Sequence, residues 1–280
     1  MTALAVLPTH VTALLANGGG EGFKDKYPLG PQSFVFKDFF SFSLFGLTVH
    51  VTRLTTMMLT ATALIIVFYL LASRKAKIVP SRLQFMGESI YGFIRNGVAR
   101  EVIGPEQGLK FAPYLTCLFS FILFLNLYEI LPLAQTPVTG RIAIPGVLAI
   151  ISWAMFNYVG IKKHGAGAYF KEMCFPPGVP KPLYVLLTPI EIFSTLIARP
   201  FTLAVRLLMN MFAGHLLLLV FTTGTLYLAT QHNFSKIFTP IAFLMAILLT
   251  FFELLVIAIQ SYVFTVLTAV YVSGALAEEH

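Results

Sequence analysis

The stretch Arg199-Pro200-Phe201-Thr202-Leu203-Ala204-Val205-Arg206-Leu207-Leu208-Met209-Asn210-Met211-Phe212-Ala213-Gly214-His215 lies inside an apolar run extending from Leu183 to Ala229. As a helix, these roughly 47 residues span about 70 Å, more than twice the 30 Å or so of a bilayer core. A second run, Ile237 to Ala277, amounts to about 60 Å on the same reckoning. Nothing polar enough to be a loop divides either run, although Pro189, Pro200 and Pro240 are positions where a helix kinks. The reading is two long, strongly tilted membrane helices. Within the first, Arg206 raises the insertion free energy by about 2.5 to 3.5 kcal/mol. A guanidinium stays protonated at accessible pH, so it fixes a positive charge in a low-dielectric place and cannot itself carry protons.

Composition agrees. Of 280 residues, 57% are hydrophobic and only 11% charged, against about 25% charged in a soluble domain. The net charge of +7 comes from basic residues clustered between apolar runs, where they act as topology determinants rather than as a nucleic-acid surface. Cys117 and Cys174 make neither a disulfide framework nor a zinc site, and no cofactor or metal motif is present.

Outward from the central stretch, the chain reads as an all-α membrane protein of about five spans plus an amphipathic interfacial helix. Residues 1–53 form an external N-terminal segment, with the aromatic-rich run Phe34 to Phe45 as a loop on the bilayer surface. Residues 54–280 form a single transmembrane domain, of which 183–277 is the tilted pair. Leu54 to Ser73 is the first span. Arg74, Lys75, Lys77 and Arg82 follow, placing that end in the cytoplasm and the N-terminus outside. From Leu83 to Val102 apolar residues recur at helical spacing among charges, as in a helix lying at the inner interface. Phe111 to Leu131 and Ile142 to Ile161 are the second and third spans, joined by a short outer loop. Glu129, at the outer end of the second, either lines a water-filled entrance or sits among head groups. Lys162, Lys163, Lys171 and Lys181 return the chain to the cytoplasmic side. Five spans leave the C-terminus there as well.

Residue counts place the polar side chains in depth. Asn210 lies one turn outward from Arg206, and His215 nine residues, or about 13.5 Å, outward. If Gln260 is level with Arg206, Glu253 lies about 10.5 Å further out and shares the depth of His215. A histidine and a carboxylate at one level supply both a donor and an acceptor for a proton. Glu191 lies about 22 Å inward of Arg206. At 100° per residue Asn210 is about 40° round the helix from Arg206 and His215 about 180° away, so the imidazole points away from whatever the guanidinium faces.

The quoted stretch, together with Gln260-Ser261-Tyr262-Val263-Phe264-Thr265-Val266-Leu267, resembles subunit a of the F-type ATP synthase, over roughly Leu54 to Ala275. The resemblance implies a proton-conducting stator without catalytic activity of its own. Its expected partners are a ring of c subunits bearing acidic carboxylates, b-type subunits of a peripheral stalk and the rest of the synthase. Arg206 matches the family's essential arginine, Asn210 its neighbour and Gln260 the glutamine facing the arginine. His215 and Glu253 match two channel positions that some members fill in the reverse order. The Glu191-to-Pro200 spacing is one residue longer than in many members, and Arg199 has no family role.

The rival reading is a proton-coupled secondary transporter, which calls for repeated halves that the sequence lacks. No nucleophile with its base and no phosphate-binding loop points to hydrolysis. A bacterial plasma membrane is the expected location, with an organellar inner membrane as the alternative.

Overall fold

The computed structural model describes residues 38–44, 47–74, 77–131, 138–169, 184–230 and 237–277. The Lys171, Lys181 and Cys174 readings, and that of the tail at 278–280, fall outside these residues.

A strand pair comes first. β1 (Asp38–Leu44) and β2 (Leu47–Thr52) pair antiparallel, with Ser41 opposite His50 and Leu44 opposite Leu47. The sequence reading made Phe34 to Phe45 a surface loop, and part of that run is instead β1. The β-branched alternation of Leu47-Thr48-Val49-His50-Val51-Thr52 favours a strand that a neighbour can pair with. The helices begin without a linker.

α1 (Arg53–Ser73) is followed by α2 (Arg82–Ile94), which runs on as a π-helix over Arg95–Ile103. Ser81 caps α2, its hydroxyl accepting from the Gln84 backbone N–H at 3.4 Å. The buried Gln84 amide bonds the Lys77 backbone on both sides and donates to Glu88 at 2.7 Å. α3 (Gln107–Leu127), α4 (Ala143–His164) and α5 (Tyr184–Phe193) follow. α5 continues through a π-helical turn, Ser194–Ala198, into α6 (Arg199–Thr230). α7 (Thr239–Leu276) closes the chain.

Among the described residues five helical segments are long and apolar enough to cross a membrane, including Leu186–Ala229 with 44 residues and Thr239–Leu276 with 38. At 1.5 Å per residue α7 alone measures about 57 Å, so seating it in a core of about 30 Å demands a tilt near 60°. From α1 onward the fold is therefore the five-span, all-helical membrane architecture with a long final pair.

α3 is shorter than the sequence suggests, ending at Leu127 rather than Leu131. The N–H groups of Glu129 and Ile130 bond the Asn126 and Leu127 carbonyls at 3.1 and 3.2 Å, a tightened turn ahead of Pro132. The Leu131 N–H still bonds the Leu127 carbonyl at 3.3 Å, so these bonds satisfy carbonyls at the end of α3.

The chain forms two compact units, one from the described residues up to Leu64 with Leu123–Gly140 and Asn210–Ile259, the other from Ile65–Ile122, Arg141–Met209 and the described residues from Gln260 onward. In the second, Leu118 and Ile122 of α3, Leu148 and Ala149 of α4, Leu203, Ala204 and Leu207 of α6 and Phe264 of α7 form the core. Phe156, Val159 and Val272 form a further cluster. Beyond α4, Tyr169 folds back so that its ring lies against Gly160 and its hydroxyl donates to the Asn157 amide oxygen at 3.1 Å. A side chain at Gly160 would overlap that ring. Gly160→Val should accordingly displace Tyr169 and destabilise the protein by about 1 to 3 kcal/mol, measured as a lower thermal midpoint in detergent; an unchanged midpoint would contradict this packing.

Candidate functional site

α6 has two contrasting faces. Leu203, Ala204, Leu207 and Met211 are buried, whereas Thr202, Arg206, Met209, Asn210 and Ala213 are exposed on the surface of the chain. The exposed positions recur at three- and four-residue steps, the periodicity of one helical face. Arg206 and Asn210 thus share a face directed away from the core that Leu203 and Leu207 help to build.

His215 turns the other way, with only 12% of its side chain exposed. In the first compact unit its Nδ1 lies 3.1 Å from Oε1 of Glu129, in the turn after α3. Glu253 of α7 is buried, and its carboxylate rests on Gly214, immediately before His215, where any β-carbon would overlap it. Close approach of α6 and α7 here requires glycine, since the carboxylate occupies the space of a side chain. Glu129, His215 and Glu253 lie within electrostatic range of one another. The structure thus brings His215 and Glu253 to one place and adds Glu129, whose contacts the sequence had left open.

Burial pushes the Glu129 carboxyl up to about 8 from an ordinary 4.5. That shift favours the protonated carboxyl at neutral pH, a form able to share a hydrogen bond with His215 Nδ1. Among the described residues, the buried Glu129 Oε2 and Glu253 Oε1 atoms have no hydrogen-bond partner. A cluster of two carboxyls and an imidazole with acceptor capacity to spare can take a proton, pass it and re-form.

Gln260 lies on the buried stripe of α7 with Glu253, Ile257, Ser261 and Phe264. In the second unit the half-exposed Glu191 of α5 meets Arg199 of α6, Oε1 to Nη2 at 3.4 Å. The Arg199 guanidinium also sits over the Tyr271 ring, 5.6 Å from its centroid. Both contacts were invisible in sequence. Among the described residues no group of three or more His, Cys, Asp or Glu side chains is disposed to hold a metal ion.

Fixed and titratable charges inside long apolar helices define a class, that of multi-pass membrane proteins handling ions within the bilayer. Comparison with known proteins makes the class specific. The family model of the ATP synthase A chain matches residues 55–273. ATP synthase subunit a of Frankia alni is 48% identical over 264 residues, 93% of this chain and 89% of that protein. That of a Parafrankia species is 48% identical over 251 residues, covering 89% and 84%. That of a Nocardioides species is 40% identical over 281 residues, covering 97% of this chain and 100% of its own length. The chain belongs to the ATP synthase A chain family.

A carboxyl held protonated by burial contributes stability that is complete below pH 4.5 and is lost as the pH rises through about 8. Thermal midpoints recorded in detergent from pH 5 to 9 should fall across that window in the native chain and flatten in Glu129→Gln. An identical slope in the two proteins would mean that Glu129 is not the group responsible.

Proposed function

We propose that this chain is the proton-translocating stator subunit of a rotary ATP synthase in a bacterial plasma membrane, with its N-terminus outside and its C-terminus cytoplasmic. It makes no bond in ATP itself. Two offset half-channels end on either side of Arg206, and the carboxylates of a rotating c-ring load from one and unload into the other. The observation that carries this reading is the exposed Arg206 on a membrane-depth helix face whose reverse side is packed core.

An exposed cation on such a helix face calls for an acidic counterpart on a second protein. Opposite unit charges about 4 Å apart, at an effective dielectric of about 20, attract by about 4 kcal/mol. A ring carboxylic acid arriving beside Arg206 is driven to release its proton. The same fixed charge repels a proton running straight from one half-channel to the other, so leakage is suppressed while rotation proceeds. Glu129, His215 and Glu253 supply the outer half-channel. Asn210 shares the ring-facing surface with Arg206, Gln260 faces the arginine's helix from α7, and Glu191 lies on the inner route. The b-type subunits of a peripheral stalk hold the chain against the torque, and the remaining subunits carry the nucleotide chemistry.

Arg206→Ala should abolish proton-driven ATP synthesis and ATP-driven pumping in membrane vesicles while the complex still assembles. Normal coupling in that variant would overturn the assignment. Exchanging two members of the outer cluster, His215→Glu with Glu253→His, should retain more pumping than either single change, because the exchanged pair keeps one imidazole and one carboxylate. Equal loss in all three would argue against a shared path.

A further inference from the structure

Glu191 and Arg199 are eight residues apart, which on an unbroken α-helix sets them about 80° apart round the axis. They nevertheless meet. The reason lies between them, in the π-helical turn Ser194–Ala198, closed by the Arg199 N–H on the Ser194 carbonyl. Such a turn absorbs one extra residue, so a separation of eight acts as seven, or about 20°. Arg199 and Arg206 are themselves seven residues apart on continuous helix. Glu191, Arg199 and Arg206 therefore line one face within about 40°.

Three features hold this geometry. Pro200 follows the π-turn and lacks the N–H that a regular α-helix would need there, so the altered pattern falls where the α ladder is already broken. Trp153 of α4 donates its indole N–H to the Thr195 carbonyl at 3.3 Å, satisfying an acceptor inside the turn. Tyr271 of α7 supplies a ring beneath the Arg199 guanidinium, where a cation is attracted to the ring face. The longer Glu191-to-Pro200 spacing noted in the sequence is thereby accommodated without turning Glu191 away.

We propose that Arg199 is a positioning residue for the inner half of the ion route: held by Tyr271 and aligned by the π-turn, it keeps the Glu191 carboxylate on the helix face that carries Arg206. This rests on the half-channel reading above. A proton leaving toward the inner side then meets a carboxylate fixed in place rather than one swinging among exposed rotamers.

The test uses the complete synthase, reconstituted in vesicles, with ATP-driven proton pumping read by quenching of a pH-sensitive dye and assembly checked by the amount of this chain in the purified complex. For a half-exposed ion pair, Arg199→Gln should lower pumping by about fivefold, with Arg199→Lys recovering at least half of the loss. On a Glu191→Gln background Arg199→Gln should add no further loss, because the partner it positions is already gone. A merely structural arginine would add its full effect in that double variant. Pumping unchanged in Arg199→Gln, no recovery with Lys, or additive losses would each overturn the inference. If Arg199→Gln fails to assemble, Trp153→Phe, which removes only the bond to the π-turn, should still lower pumping in the native background and not in Glu191→Gln; equal loss in both would overturn it as well. Arg206→Ala in the same preparation separates the two levels. Retained pumping there removes the half-channel reading itself, whereas loss there beside an unaffected Arg199→Gln removes only this proposal.

Discussion

The structure depends on the expense of keeping a guanidinium at membrane depth. A charged arginine on a spanning helix costs about 2.5 to 3.5 kcal/mol on the lenient scale, and proton loss cannot relieve it. Packing around Arg206 does not bury it; α6 turns Leu203, Ala204 and Leu207 into the core and leaves Arg206 outside. The guanidinium thus stays on the surface of the chain, on the side of α6 opposite the packed core. Its family membership implies a complex with other ATP synthase subunits.

Titratable groups follow the opposite rule. Glu129, His215 and Glu253 are drawn inward and supported by packing. Gly214 is the hinge of that arrangement, because the Glu253 carboxylate occupies the volume a side chain would need. The permanent charge faces out and the exchangeable ones face in. Along α6 the exposed guanidinium of Arg206 and the largely buried imidazole of His215 lie nine residues apart.

The architecture was legible in the sequence because bilayer thickness sets a length scale: runs of about 20 residues read as single spans, and runs twice that long had to tilt. Helical periodicity likewise told Arg206 and His215 apart, since 100° per residue places nine residues on opposite faces. What stayed hidden were contacts between separate elements. Glu129 is remote from His215 in sequence and lies just past a helix end that the apolar run had overstated by four residues. Counting depth along one helix does not say which neighbour leans toward it. The Glu191–Arg199 pair was concealed differently, by a departure from α geometry that hydrophobic patterning does not register. The strand pair ahead of α1 escaped because aromatic and β-branched alternation near a membrane resembles an interfacial loop.

The inclination of the long helices changes how the membrane voltage is shared out. Nine residues separate Arg206 from His215, about 13.5 Å along the axis, but the 44-residue segment Leu186–Ala229 that carries them is about 66 Å long, and leaning near 60° to fit a core of about 30 Å it reduces that to about 7 Å along the bilayer normal. Much of the displacement between the two runs sideways, parallel to the membrane plane. A charge travelling between those levels then crosses about a quarter of the potential drop instead of nearly half, or about 0.5 kcal/mol per elementary charge for every 100 mV applied. The leaning helix acts as a voltage divider, leaving most of the field to be crossed elsewhere.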